Sequence, residues 1–369
     1  MSDDVKRVGV LSGGGDCPGI NAVIRAVSKS LMRDYNIEVI GIQDGFQGLI
    51  GNNYRPLDWD AVSGILQQGG TILGTSNKAN PFQVPVKKEG ETIYEDYSEQ
   101  TVKNARAMGL DAVVCIGGDG TMTVAHGLME KGLRVVGVPK TIDNDLYGTD
   151  VTFGHDTAVS IAADAIDRIH TTAMSHHRVM IVETMGRYTG WLTLGAGLAS
   201  GADVIIIPEL EYDLDTICRI VKERSFRGRK FSIVAVAEGS KPKGGELTVA
   251  RTVEDSPEEV RLGGISLKLG NDIEDRTGLE TRATVLGHLQ RGGTPTAYDR
   301  VLATRYGVAA AQLIAKRQFD RMVALRGTEI TSVPISEVGG KTRKVDKENP
   351  LLRTVHSIGA SLGTTENSF

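Results

Sequence analysis

Short runs of β-branched residues alternate along the chain with longer segments whose apolar positions recur every three or four residues. Residues 7–11 read as a strand and residues 20–33 as the helix that follows; residues 38–42 form a second strand. Residues 112–116 are apolar without alternation, the pattern of a strand buried on both faces. Residues 122–131 then read as a helix, and residues 134–138 as a strand that Pro139 closes. The alternation continues with a helix over 156–174, a strand over 179–183 and a helix over 192–198. Buried strands follow over 204–207 and 233–237. A strand over 329–335 leads through a polar stretch, 339–350, to a short C-terminal helix, and the polar, glycine-rich residues 240–257 read as a surface loop. Strand–helix alternation of this kind predicts an α/β fold with mostly parallel sheets, helices on both faces, and ligands at the carboxyl ends of the strands.

A length of 369 residues predicts two domains at roughly 100–200 residues each. A formal net charge of -4 gives no reason to expect a nucleic-acid surface or an anionic membrane as partner. Cys17, Cys115 and Cys218 are odd in number and contain no CxxC pair, which argues against a disulfide framework and for a reducing cytoplasm. The amino terminus runs from charged residues straight into a strand, with no leader pattern, and no apolar run approaches the ~18 residues of a membrane span.

Glycine changes the picture. Its 45 residues cluster beside strand-like runs, at Gly13–Gly15, Gly117–Gly120 and Gly292–Gly293. The first cluster, Ser12-Gly13-Gly14-Gly15-Asp16-Cys17-Pro18-Gly19, lies between a strand and a helix. Glycines there let backbone N–H groups point at a phosphate, and the helix dipole adds to the attraction. The spacing is neither a Walker A loop nor GxGxxG, and a plain tight turn is the alternative. The second cluster, Gly117-Gly118-Asp119-Gly120-Thr121, surrounds an acidic side chain at a strand's carboxyl end. Asp119 there can hold Mg²⁺ while Gly118 and Gly120 admit phosphate; its alternative is the N-cap of the next helix. GGDGT also occurs in lipid kinases and NAD kinases. It indicates a phosphoryl donor site and little more.

After the next strand comes Pro139-Lys140-Thr141-Ile142-Asp143-Asn144-Asp145. In extended chain Asp143 and Asp145 would face the same way. Two carboxylates beside a lysine and a threonine suit a site in which one takes a proton from a hydroxyl and the other orients it, against the alternative of a polar turn.

From Gly117 through this tract to Asp150 the chain resembles the 6-phosphofructokinase family. Three further tracts agree: Val182-Glu183-Thr184-Met185-Gly186-Arg187, Ala237-Glu238-Gly239, and Arg282-Ala283-Thr284-Val285-Leu286-Gly287-His288-Leu289-Gln290-Arg291-Gly292-Gly293. The ordered match runs from about residue 8 to about residue 325. The resemblance implies two Rossmann-like three-layer αβα domains. Residues 1–154 plus about 290–325 would bind nucleotide or polyphosphate, and residues 155–289 plus about 326–369 would bind the sugar phosphate.

The implied reaction is transfer from MgATP to the 1-hydroxyl of fructose 6-phosphate, a step of glycolysis. Asp143 would be the general base, flanked by Thr141 and Asp145, with Mg²⁺ on Asp119 and Arg187 stabilising the transferring phosphoryl group. Arg178, Arg282, His288 and Arg291 match residues that bind the 6-phosphate, where an arginine fork meets phosphate bidentately. Met185, Gly186 and Glu238 match contacts to the sugar. Taken singly, Arg178 reads as a surface charge and His288 as a satisfied core histidine. In the bacterial family the counterparts of Arg178 and Arg282 come from a neighbouring subunit, which implies a homotetramer or homodimer with shared active sites.

On the donor side the resemblance assigns Gly14, Gly15, Gly118, Gly120, Thr121 and Lys140 to the polyphosphate, Phe46 to the nucleotide's flank and Lys78 to a cation position. Glycine at 120 is the pattern of ATP users, whereas pyrophosphate users carry aspartate. Lysine at 140 is the pattern of pyrophosphate users. The two together favour ATP because a missing side chain opens space while a lysine tolerates either polyphosphate. Pyrophosphate-dependent transfer and a catalytically silent regulatory subunit are the alternatives. Arg25, Lys29, Arg227 and Arg229 keep part of the family's basic effector cluster, but Trp59 and His170 stand at other positions of it.

Overall fold

The computed structural model describes residues 5–88, 91–253 and 260–365. The chain divides into two compact units. Unit 1 comprises residues 1–142, 146–156 and 291–342; unit 2 comprises residues 143–145, 157–290 and 343–369.

Unit 1 is built on a seven-stranded sheet. In spatial order its strands are Glu329–Pro334, Arg321–Arg326, Val135–Pro139, Ala112–Gly117, Arg7–Ser12, Glu38–Ile42 and Tyr54–Pro56. The five inner strands run parallel and the two edge strands antiparallel. The unbroken apolar run in Ala112–Gly117 is buried at every position, as expected of a strand covered on both faces. Helices Ile20–Tyr35 and Asp119–Glu130 each follow a central strand, so both glycine clusters sit at strand carboxyl ends. One core of this unit gathers Leu11, Ile42, Val113, Cys115, Met122 and Leu128.

Unit 2 holds a four-stranded, all-parallel sheet in the order Thr281–Val285, Val179–Thr184, Ser232–Ala237, Val204–Ile206. Its core includes Ile181, Ile206, Val234, Val236, Leu269 and Ile273.

Three expectations need correction. Residues 326–342 belong to unit 1: Glu329–Pro334 folds back on Arg321–Arg326 and completes the first sheet through paired backbone groups. Residues 240–257 are not a plain loop, because Val249–Thr252 pairs antiparallel with Val260–Leu262; residues 254–257 of that stretch lie outside the described residues. The tract around Asp143 is not extended. Asn144 has φ +52°, so the chain bends through a left-handed residue and the same-face argument for Asp143 and Asp145 does not apply.

Helix Ala297–Ala315 lies along Ile20–Tyr35 through a glycine contact. A Cβ added at Gly307 would fall 2.6 Å from Ala26 Cβ and 2.9 Å from the Val23 carbonyl oxygen. Alanine gains up to about 1 kcal/mol over glycine in helix propensity. Overpacking of a well-filled contact costs about 1–3 kcal/mol and wins here. Gly307→Ala is therefore expected to lower the thermal midpoint in a melting experiment; an unchanged or raised midpoint would contradict this packing.

Candidate active site

In unit 1 the first glycine loop is held from below by its carbonyl groups. Thr75 Oγ1 donates to the Gly14 carbonyl at 2.6 Å, the Lys140 ammonium to the Gly15 carbonyl, and Arg291 Nη1 to the Asp16 carbonyl at 3.2 Å. The Gly14 N–H donates to the Ser76 carbonyl at 3.2 Å, whereas the N–H groups of Gly15 and Asp16 donate no hydrogen bond among the described residues. Two unused N–H groups over a loop backed by two cations suit an anion. Gly14 has φ +76°, and a Cβ at Gly15 would fall 2.7 Å from Arg291 Nη1, so a side chain there would displace the guanidinium.

Thr121 lies beneath this loop. A Cβ at Gly13 or Gly117 would come within 2.7 Å or 2.2 Å of its hydroxyl, so Thr121 fills the space those two glycines leave. Lys140 is 4% exposed. Arg291 thus belongs with the first glycine loop in unit 1, whereas Arg178, Arg282 and His288 belong to unit 2.

Asp119 is the first residue of its helix, and Gly118 is the N-cap, so the capping alternative does not describe it. Its Oδ1 accepts from the Gly340 N–H at 2.7 Å; its second oxygen makes no hydrogen bond among the described residues. No cluster of three acidic, histidine or cysteine side chains suited to a metal occurs among the described residues. The remaining Asp119 oxygen fits Mg²⁺, which binds through one or two carboxylates together with substrate phosphates and water. A Cβ at Gly120 would meet nothing within 4 Å, whereas one at Gly118 would lie 3.4 Å from the Lys140 carbonyl oxygen. Lys78 is exposed. Phe46 corrects an expectation: it is 4% exposed and packs in the core with Leu11 and Val102, so its ring belongs to the hydrophobic interior of unit 1 and is not offered to a ligand.

In unit 2, acidic and basic groups collect at the carboxyl ends of Val179–Thr184 and Ser232–Ala237. Burial first, then the negative charges of Asp143 and Glu183, pushes the Glu238 carboxyl up to about 7. Glu183, 2% exposed, accepts from the N–H groups of Gly264 and Ser266 at 2.9–3.1 Å and from the Ser266 hydroxyl at 2.8 Å. It thus caps the helix Ile265–Thr277, where the dipole favours an anion.

Gly239 lets the next loop close in. A Cβ there would fall 2.0 Å from the Arg187 carbonyl oxygen, and its N–H donates to the Gly186 carbonyl at 3.1 Å. Gly186 itself has φ +140°. Arg187 donates to the Val260 carbonyl at 2.8 Å and lies 5.2 Å from the Tyr188 ring centre. Met185 is half-buried in the same loop.

Arg178 and Arg282 share one carboxylate oxygen, Glu280 Oε1, at 2.9 and 2.5 Å. The hydrogen bond from Arg178 holds the Glu280 carboxyl below its ordinary range. His288 is exposed on the 3₁₀ turn Gly287–Arg291, which excludes the reading of a core histidine. Unit 2 therefore brings Asp143, Arg187 and Glu238 into one electrostatic cluster and pairs Arg178 with Arg282. Thr141 lies in unit 1 and Asp145 in unit 2, within the single tract that both units share.

The family model described as Phosphofructokinase matches residues 7–314. The chain belongs to the phosphofructokinase family. It is 51% identical over 366 residues, 98% of this chain and 99% of the relative, to ATP-dependent 6-phosphofructokinase 2 of Clostridium perfringens strain 13. It is also 49% identical over 341 residues, 92% of this chain and 96% of the relative, to the pyrophosphate–fructose 6-phosphate 1-phosphotransferase of Streptomyces coelicolor. Among solved structures, Pichia pastoris phosphofructokinase in the T-state matches with a TM-score of 0.76 and 32% identity. That match covers 90% of this chain and 35% of the yeast chain, so this chain spans about a third of that protein.

The sequence reading passed over Glu183, Glu280 and Thr75. Glu183 lies inside a quoted tract, but nothing local to it indicates a helix cap supplied across 81 positions. The raised Glu238 group carries a consequence for stability. Folded protein binds its proton more tightly than unfolded chain between pH 4.5 and about 7, so stability falls as pH rises through that window. The contribution is about 3 kcal/mol. Glu238→Gln is expected to flatten the dependence of the melting temperature on pH over that range and to be the more stable protein at pH 8. Parallel melting curves for both proteins would refute the raised group.

Proposed function

We propose that this phosphofructokinase-family protein transfers the γ-phosphoryl group of MgATP to the 1-hydroxyl of fructose 6-phosphate. The observation that carries the reading is 51% identity over 98% of the chain to a protein named as an ATP-dependent 6-phosphofructokinase. In this reading Asp143 takes the proton of the 1-hydroxyl as its oxygen bonds to phosphorus, and the bond from phosphorus to the departing ADP oxygen breaks. Asp119 would hold Mg²⁺, with Asp145 in the neighbouring tract, and the ion would neutralise charge on the phosphate oxygens. Arg187 stabilises the transferring group, and Thr141 contacts it. Gly14, Gly15, Gly118, Gly120, Thr121 and Lys140 serve the polyphosphate, with Lys78 as a further cation.

Arg178, Arg282, His288 and Arg291 would receive the 6-phosphate, and Met185, Gly186 and Glu238 the sugar. Sharing of Arg178 and Arg282 between subunits would make the enzyme a homodimer or homotetramer. Among the described residues no helix is long and apolar enough to cross a membrane, and a cytoplasmic enzyme is the corresponding proposal.

The second reading, pyrophosphate as donor, is favoured by Lys140 and by the Streptomyces coelicolor relative. Two features support ATP over it: the space at Gly120 and the ATP-dependent relative. Steady-state kinetics with each donor decides between them; turnover with pyrophosphate and none with ATP would overturn the first reading. Gly120→Asp is expected to raise KM for ATP or lower its kcat without matching loss of fructose 6-phosphate binding, and unchanged ATP kinetics would remove the steric argument. Asp143→Ser is expected to lower kcat by roughly 10²–10⁴-fold while the Kd for fructose 6-phosphate shifts far less, because a base acts mainly in the transition state. Equal losses in both quantities would count against Asp143 as the base.

A further inference from the structure

The loop bearing Asp143 is held by a residue far away in sequence. Asn144 is left-handed at φ +52°, a conformation asparagine tolerates, and it is 6% exposed, so the bend is set by the contacts that surround it. Three carbonyls in a row meet donors from outside the loop. Thr189 Oγ1 donates to the Asp143 carbonyl at 3.3 Å, Arg343 Nη1 to the Asn144 carbonyl at 3.0 Å, and the Arg343 N–H to the Asp145 carbonyl at 2.7 Å.

Arg343 is itself clamped. Its guanidinium lies 4.3 Å from the Trp191 ring centre, and its own carbonyl accepts from Trp191 Nε1 at 2.8 Å. Two residues on, the Val345 N–H donates to Glu209 Oε1 at 2.8 Å, and both oxygens of that carboxylate accept from the Gly190 N–H at 3.0–3.1 Å. Gly190 is the N-cap of the helix that begins at Trp191. Carboxylate, helix start and indole thus seat the tail, and the tail seats the loop. All of these residues belong to unit 2.

We propose that Arg343 is a positioning residue for phosphoryl transfer: it holds the Asp143–Asp145 bend in the geometry that proton abstraction needs. The proposal rests on Asp143 being the base. A planar fork is required because one side chain must donate to a carbonyl while stacking on an indole, which an ammonium does less well. A misplacement of about 1 Å at a reacting group can cost roughly 10²-fold in rate.

The test uses the full-length protein. Arg343→Met is expected to lower kcat roughly 10–100-fold with KM for fructose 6-phosphate changed only a few-fold, and millimolar methylguanidinium is expected to restore part of the turnover. In a Trp59→Phe background Trp191 is the remaining tryptophan, and its emission should shift when the guanidinium is removed. Wild-type kcat in Arg343→Met, with that emission shifted, would overturn the proposal. If Arg343→Met does not fold, Arg343→Lys replaces it; an intermediate kcat supports the proposal, and wild-type kcat overturns it. Asp143→Ser in the same assay separates the two claims. Should it keep wild-type turnover, the base assignment falls. Hydrogen exchange at the backbone N–H of residue 343, which donates to the Asp145 carbonyl, then reads the seating of the loop in Arg343→Met: faster exchange supports the positioning role, and unchanged protection refutes it.

Discussion

Carboxylates at neighbouring strand ends must be compensated or neutralised, and the chemistry of unit 2 follows from how this is done. Glu183 accepts four hydrogen bonds from three donors at a helix start. A backbone hydrogen bond from Gly186 favours the Glu238 carboxylate, but burial and two negative neighbours outweigh it and push its proton affinity up. Asp143 contributes to that repulsion, so the three groups behave as one electrostatic unit. Negative groups that raise a neighbour's proton affinity stay close only where the backbone enforces their approach. Gly239 and Gly186 permit that approach, since any side chain at Gly239 would collide with the Arg187 carbonyl.

Unit 1 has the opposite character, with cations behind a glycine loop. Its first glycine loop turns successive carbonyls toward Thr75, Lys140 and Arg291 and leaves two N–H groups unused. Lys140 and Arg291 serve the loop's shape and its potential at once. Thr121, expected to touch polyphosphate, also fills the space beneath Gly13 and Gly117. A larger residue at either glycine would need that threonine to move. Support of the loop therefore cannot be varied independently of Thr121.

Most parallel strands were legible because apolar runs such as Ala112–Gly117 bury both faces and leave a signal within six residues; the parallel strands Thr281–Val285 and Arg321–Arg326 were not read. The edge strand Tyr54–Pro56 and the hairpin strand Val249–Thr252 were not, because their residues are mostly exposed and carry no such run. Phe46 shows the limit of motif position: an aromatic at a ligand-side position can equally close the core, and only packing distinguishes the two.

The sequence by itself determined the parallel α/β architecture, the glycine loops and the acidic tract, since each is written in contiguous residues with a local physical cause. Tertiary structure alone decided that Glu183 caps a helix, that Glu280 binds two arginines, and that Arg343 seats the bend at Asn144. Those contacts join positions up to about 200 residues apart, and such pairings arise only when packing brings donors to carbonyls that the local chain leaves unmet.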